Sequence, residues 1–248
     1  MASRNQKIVE SPVTKWYQWK TQYDQNDNPV GGTLVTYNKE TETNESVELP
    51  FSVAIINDSA VCFKGYNEAT KEGVWSNEGM EKNHLIVLKN KQGELFRFKL
   101  GDYQKVKDKV TSFNAKYTKV IYAAVKNEKD DFELIGITLS GAGLTGGVDQ
   151  DNFDVSEKMH GYFNATKAIG KTKLFSNYLT FKDAAVKKKG KSKFFVPVFE
   201  SGQLVTEKEN NELIELNNQL DEYHKYYYSQ SFEKVEQLAT VGEDDLND

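Results

Sequence analysis

One cysteine, four prolines and three histidines are all that 248 residues supply of the types that staple, break or ligate a chain. Cys62 lies in the apolar run Ala60-Val61-Cys62-Phe63, so it forms no intramolecular disulfide and reads as a core residue in a reducing compartment. A lone cysteine also excludes the usual thiolate zinc sites, and His84, His160 and His224 are scattered without metal-ligand spacing. No window approaches the roughly 18 apolar residues that a spanning helix needs, and Met1 to Glu10 carries no apolar signal core. These absences predict a cytoplasmic chain, neither exported nor membrane-embedded, without metal or cofactor. The length still allows an ordinary core that needs no staples.

A net charge of −5 is an average over two unlike segments. Residues 1–199 hold 29 Lys+Arg against 24 Asp+Glu, a net of +5, while residues 200–248 hold 3 against 13, a net of −10. The sequence thus joins a mildly basic body to a strongly acidic C-terminal part.

Short apolar runs between turn signals predict strands at Thr33–Tyr37, Val53–Ile56 and Leu85–Leu88, with a hairpin through Gln92-Gly93 into Glu94–Lys99. Tyr103, Val106, Val110 and Phe113 share one helical face opposite Lys105, Lys107, Asp108 and Lys109, behind a cap signal at Gly101-Asp102. Strands follow at Tyr117–Lys126 and Phe132–Leu139, joined by a polar turn at Glu128–Asp131. Ser140–Lys171 is rich in glycine and asparagine, with a short helix expected near Val155–His160. Leu174–Val186 and Lys193–Phe199 read as a last strand pair around the basic turn Lys187–Lys191, with Pro197 implying an edge strand or a strand end. Glu207–Tyr228 is helical, striped by Leu213, Leu216, Leu220, Tyr223 and Tyr227, and Gly242–Asp248 is too charged and short to pack. The expected organisation is a domain over 1–202, a helix over 203–230 and an acidic tail over 231–248.

Cations interleave with aromatics in three separate runs: Lys15-Trp16-Tyr17-Gln18-Trp19-Lys20, Leu95-Phe96-Arg97-Phe98-Lys99, and Lys187-Lys188-Lys189-Gly190-Lys191-Ser192-Lys193-Phe194-Phe195. Single-stranded nucleic acid exposes phosphates and base faces together, so its groove needs positive charge beside aromatic platforms. Alternation equally fits a plain strand, with aromatics in the core and cations in solvent. Taken as a set, the runs favour binding, and an acidic tail can compete with phosphate for such a groove or serve as a solubility device.

Enzymatic patterns are weak. Gly141-Ala142-Gly143-Leu144-Thr145-Gly146 matches G-x-G-x-x-G, but no βαβ unit surrounds it and no acidic residue lies among Tyr162–Lys167; it reads as a turn or a close backbone approach. Asp130-Asp131 and Asp149–Asp151 would have to pair around magnesium for nuclease chemistry, whereas solvated turns account for them.

Leu49-Pro50-Phe51, Gly73-Val74-Trp75-Ser76-Asn77-Glu78, Ala115-Lys116-Tyr117 with Tyr122-Ala123-Ala124, Ser140-Gly141-Ala142-Gly143-Leu144, and Phe194-Phe195-Val196-Pro197-Val198-Phe199 occur in an order that resembles phage-encoded single-stranded DNA-binding proteins of the OB-fold kind. The likeness covers Leu49 to Phe199. It implies a mainly β (α+β) protein built on an OB-type antiparallel barrel with an inserted helix and a C-terminal helix. It also carries over Trp75, Lys116, Tyr117, Tyr122, Phe194 and Phe195 as binding candidates, although Trp75 also fits as a core plug and Asn77 and Glu78 as caps. The end Leu246-Asn247-Asp248 departs from the acidic tail with a hydrophobic tip of such proteins, which weakens recruitment of replication or recombination proteins by the tail.

The combined expectation is a non-enzymatic protein that coats single-stranded DNA during phage replication or recombination, in the host cytoplasm. Trp16, Trp19, Lys20, Trp75, Arg97, Lys99, Lys116, Tyr117, Tyr122, Lys187, Lys188, Lys189, Lys191, Phe194 and Phe195 are its candidate binding residues. The rival is a structural or interaction component of a phage that assembles through the C-terminal helix; homo-oligomers fit either account. If the first holds, labelled oligo-dT binds in preference to duplex, log affinity falls with log salt by about 0.7 per phosphate contact, and truncation at Thr240 tightens binding. Fluorescence anisotropy at several salt concentrations reads all three.

Overall fold

The computed structural model describes residues 9–67, 70–147 and 157–241, without the side chains of 67 and 230–241. Twelve strands form one mixed sheet: β1 (Lys15–Tyr23), β2 (Pro29–Asn38), β3 (Thr43–Ser46), β4 (Phe51–Asn57), β5 (Val61–Asn67), β6 (Glu72–Ser76), β7 (Leu85–Asn90), β8 (Gly93–Lys99), β9 (Ala115–Lys126), β10 (Phe132–Ser140), β11 (Asn177–Lys189) and β12 (Ser192–Leu204). The helices are α1 (Tyr103–Ser112), α2 (Ala142–Thr145), α3 (Tyr162–Ile169), α4 (Lys171–Ser176) and α5 (Glu207–Val241). The protein is mainly β within the α+β class.

Strand order along the main path is β3-β2-β1-β10-β9-β5-β6-β7-β8. β9 forks: Ala115–Lys119 pair with β5, whereas Tyr122–Ala124 pair with β4, which leads on to β11 and β12. A bulge between Ile55 and Asn57 lets β4 diverge. The expected closed antiparallel barrel is not formed among the described residues: the sheet stays open, and β1 runs parallel to β10, Lys15 opposite Ile135. The β11–β12 hairpin folds back over β1 and β2, but β12 meets β1 through side chains. The Trp19 indole N–H donates to the Phe195 carbonyl at 3.0 Å, and the Phe195 N–H donates to the Thr21 hydroxyl at 3.2 Å. No ladder links β12 to β1, so the edges remain open.

Alternation along the strands sends side chains to an inner and an outer face. A first core fills the inner face between β1, β9, β10 and the β11–β12 hairpin, with Tyr17, Ile121, Ile135, Phe181 and Phe199 buried. A second inner core, around Phe63, Ile86, Leu88 and Phe98, is capped by α1 through the expected Tyr103, Val106, Val110 and Phe113 face. On the outer face, α5 lays Leu213 and Leu220 on Ala54, Tyr122, Ala124 and Leu134. Both faces of β9 are therefore covered from Val120 to Ala124, which explains an unbroken apolar run where a one-sided strand would alternate.

Local differences from the sequence reading have local causes. Leu174 belongs to α4, which opens after Gly170 at φ 84, so the strand begins only at Asn177. Lys187–Lys189 continue β11, and the turn narrows to Gly190-Lys191 with Gly190 at φ 60. Pro197 lies within β12, which pairs only with β11, so it occupies an edge strand as anticipated. The Gly141–Gly146 motif closes the short turn of α2, and a Cβ on Gly146 would stand 2.2 Å from the His160 carbonyl oxygen: a close backbone approach. Of the short helix expected near Val155–His160, Val155 and Ser156 lie outside the described residues, Glu157 is in 3-10 helical conformation, Lys158 and Met159 form a turn, and His160 bridges to Val198. α5 runs to Val241, past the boundary drawn at 230, and residues 242–248 lie outside the described set. Among the described residues no helix is long and apolar enough to cross a membrane.

Leu220 of α5 is fully buried against the sheet. Leu220→Ala is expected to lower unfolding free energy by about 2–5 kcal/mol in urea titrations, while the exposed Lys225→Ala changes it by less than about 0.5 kcal/mol.

Candidate nucleic-acid interface

Beyond the margin of α5 the outer face of β9, β5, β6, β7 and β8 carries polar and aromatic side chains. Strand register aligns one row across it: Lys116 opposite Lys64, Lys64 opposite Trp75, and Trp75 opposite Lys89. All four are exposed. Arg97 and Lys99, opposite Val87 and Leu85, extend the same face on β8, and Tyr66 flanks Lys64 two residues along β5. The inner partners Phe63, Val74, Leu88 and Phe98 are buried, so the period of two puts every one of these cations and rings in solvent.

Trp16 joins the row from β1. Its ring lies against Gly136 of β10, where a Cβ would come within 2.3 Å of the indole, so only glycine admits it. The Lys64 ammonium stands 5.9 Å from the Trp16 ring centroid, a cation–π distance. Lys64 is thus bracketed by two tryptophans, each 41 % exposed. Lys20 projects from the same face of β1, four residues beyond Trp16.

The remaining sequence candidates separate from this row. Trp19 faces inward, half-buried, its ring stacked on Phe181 at 6.5 Å. Tyr117 is half-buried among Phe63 and Tyr103, and burial pushes its phenol above the usual value. Tyr122 is buried: its hydroxyl donates to the Glu78 carboxylate, and its ring abuts Trp16 on one side and His224 on the other. As folded it cannot stack on a base, which corrects its assignment as an open platform. Arg97 is exposed, but its guanidinium is held in a fork by Glu94 at 2.6 and 2.7 Å. Lys187 pairs with Glu157, with only 11 % of its side chain exposed. Lys188, Lys189 and Lys191 are exposed on the β11–β12 hairpin. Phe194 and Phe195 are half-buried, packed toward Gly147 and toward Gly32 with Trp19. That hairpin covers the inner face, so the three basic runs do not converge on one groove.

Sequence reasoning missed Lys64, Tyr66 and Lys89. The signal was present in Phe63-Lys64-Gly65-Tyr66, where polar and apolar positions alternate, but the preceding Ala60–Phe63 drew attention as a core run.

Glu78 is the acidic neighbour of the row. Burial raises its pKa, while the Tyr122 hydroxyl and the Lys64 charge pull it back down. Among the described residues no group of three or more His, Cys, Asp or Glu could hold a metal. Asp130 pairs with Lys126 at 2.9 Å in its turn, and Asp149–Asp151 lie outside the described residues. Comparison with protein-family models, curated proteins and solved structures found no match.

Tyr122→Phe deletes the hydroxyl that lowers the Glu78 pKa. A carboxyl whose folded pKa lies above its unfolded value of 4.5 binds its proton more tightly when folded, so stability falls as pH rises from 4.5 through the folded value. The variant is expected to lose about 1–3 kcal/mol more than wild type at pH 8 than at pH 5, read from thermal melts at both pH values.

Proposed function

We propose that this protein binds single-stranded DNA across the outer face of its sheet, without catalysis, and coats it during phage replication or recombination. The observation that carries this reading is the register-aligned row Lys116-Lys64-Trp75-Lys89, continued by Trp16. Lys64 and Lys116 stand directly opposite one another, and Lys64 also faces the Trp16 ring and the Glu78 charge. Like charges at directly opposed positions destabilise a sheet, and a phosphate bound between them relieves that repulsion. The flanking indoles offer flat surfaces to bases, which a duplex keeps stacked away from such a face.

An OB-type ancestry fits the curl of β1, β10, β9, β4, β11 and β12 around the first core, with two side-chain hydrogen bonds in place of a closing ladder. The hairpin lysines 188, 189 and 191 then act as a second, peripheral contact that raises affinity through phosphate without reading bases. Assembly through α5 has less support, because Leu213 and Leu220 are already buried against the chain's own sheet.

Trp75→Ala is expected to weaken oligo-dT binding roughly 5- to 150-fold, in line with about 1–3 kcal/mol per stacked base. Lys64→Gln lowers the salt slope by about 0.7, the contribution of one single-strand phosphate contact. Anisotropy titrations of both variants and of wild type, with circular dichroism as a fold control, decide the matter. Unchanged affinity in both variants at low salt would place any binding elsewhere on the surface.

A further inference from the structure

The two halves of α5 are anchored very differently. At its start Thr206 and Glu209 form a reciprocal cap: the Thr206 N–H and hydroxyl donate to Glu209 at 2.8 Å each, and the Glu209 N–H donates back to Thr206 at 3.3 Å. Lys126 at 3.0 Å and the Tyr178 hydroxyl at 2.9 Å tie the same carboxylate to the sheet. Those contacts, led by the Thr206 hydrogen bonds, hold the Glu209 carboxyl down at about 2. Leu213, Leu216 and Leu220 follow on apolar ground.

Beyond Leu220 the contact becomes mixed: Tyr223 packs beside Leu220 and bonds Ser11, and Tyr227 bonds the Glu78 backbone, but other buried polar groups are left unpaired. His224 is 5 % exposed, yet neither ring nitrogen has a hydrogen-bond partner, and the buried Tyr228 hydroxyl has none either. Burying such groups unpaired costs free energy that a solvated helix end recovers. What this half covers is the continuation of the binding row, since Tyr122 lies 6.0 Å from Trp16 on one side and 5.0 Å from His224 on the other, ring centroid to ring centroid.

We propose that the half of α5 beyond Leu220 is a displaceable cover over the strand-binding face, and that its withdrawal opens Tyr122 to a base beside Trp16. This regulation rests on the strand-binding reading. Binding and withdrawal are then linked, because a strand that prefers the uncovered face shifts the helix end toward solvent.

The groups around His224 give the cover a pH handle. Tyr122 faces it from β9, Tyr223, Tyr228 and Asp221 from its own helix, and Glu78 lies behind Tyr122, while His84 with its neighbour Glu81 lies behind Tyr228. Burial holds both imidazoles below the ordinary 6.5, with Asp221 and Glu81 opposing. The covered state therefore binds fewer protons at these histidines, and covering weakens as pH falls below 6.5. Glu78 acts in the opposite sense, since its raised pKa makes covering weaker as pH rises above 4.5. A His224 substitution isolates the first effect.

Hydrogen exchange by mass spectrometry on the full chain tests this. Without nucleic acid, amides 221–229 should exchange at least about tenfold faster than amides 209–220, after correction for intrinsic rates. The difference should widen between pH 7.5 and 5.5 and should shrink in His224→Phe, which keeps a ring and removes the orphaned nitrogens. Saturating oligo-dT, with binding verified by anisotropy in the same sample, should speed exchange at 221–229 further. Equal exchange in the two halves overturns the cover. So does binding that leaves 221–229 unchanged or slower, and in that case the strand-binding reading survives; absence of oligo-dT binding removes both.

Discussion

The structure depends on the burial of one strand from both sides. From Val120 to Ala124 β9 is at most 1 % exposed at every residue, with Ile121 and Ala123 turned to the first core and Val120, Tyr122 and Ala124 turned to α5. A strand in that position tolerates no charge, so its lysines lie outside the stretch, at 116, 119 and 126. Ala123 and Ala124 keep the strand thin enough for layers to close on both sides, and the fork from β5 to β4 occurs beside them. Once β9 is fixed, the outer face has only two states: covered by α5, or open where Lys116 begins the exposed row.

The open part resembles neither a core nor an ordinary polar surface. Large exposed apolar patches and bare sheet edges invite association, and lysines among the rings reduce that risk. The same interleaving leaves Lys64 and Lys116 directly opposed and the Trp16 and Trp75 rings partly in solvent, and on the proposed reading phosphate and base would complete these contacts. A row from β9 to β7 crosses three inter-strand gaps, about 14 Å. On the proposed reading, that width matches a strand laid across the sheet.

Much of this was legible from residues alone. Period-two alternation located most strands, and the Tyr103, Val106, Val110 and Phe113 face placed α1 against its core. The stripe of Leu213, Leu216 and Leu220 announced a packed helix, though not which surface it packs on. What periodicity cannot give is the identity of the inner face: Trp16 and Trp19 lie three residues apart on one strand and end on opposite sides, one open and one stacked on Phe181. Tyr122 failed for a related reason, because its cover comes from a helix about 100 residues later in the chain. Sheet closure was equally hidden, since the parallel pairing of β1 with β10 is a long-range choice with no local signature.

The two cationic regions occupy opposite sides of the sheet, and on the proposed function this limits how a strand would engage them. The Lys64 row lies on the outer face, while Lys188, Lys189 and Lys191 sit on a hairpin folded over the inner face and joined to β1 through Trp19 and Thr21. A single strand that engaged both would have to pass from one face of the sheet to the other. Rings beside cations on the outer face suit stacking with phosphate neutralisation, whereas the hairpin offers charge without an exposed ring, since Phe194 and Phe195 are half-buried. On the proposed function, affinity and base contact would be divided between surfaces. Removing the hairpin charge should change the salt dependence of binding while leaving stacking on Trp16 and Trp75 in place.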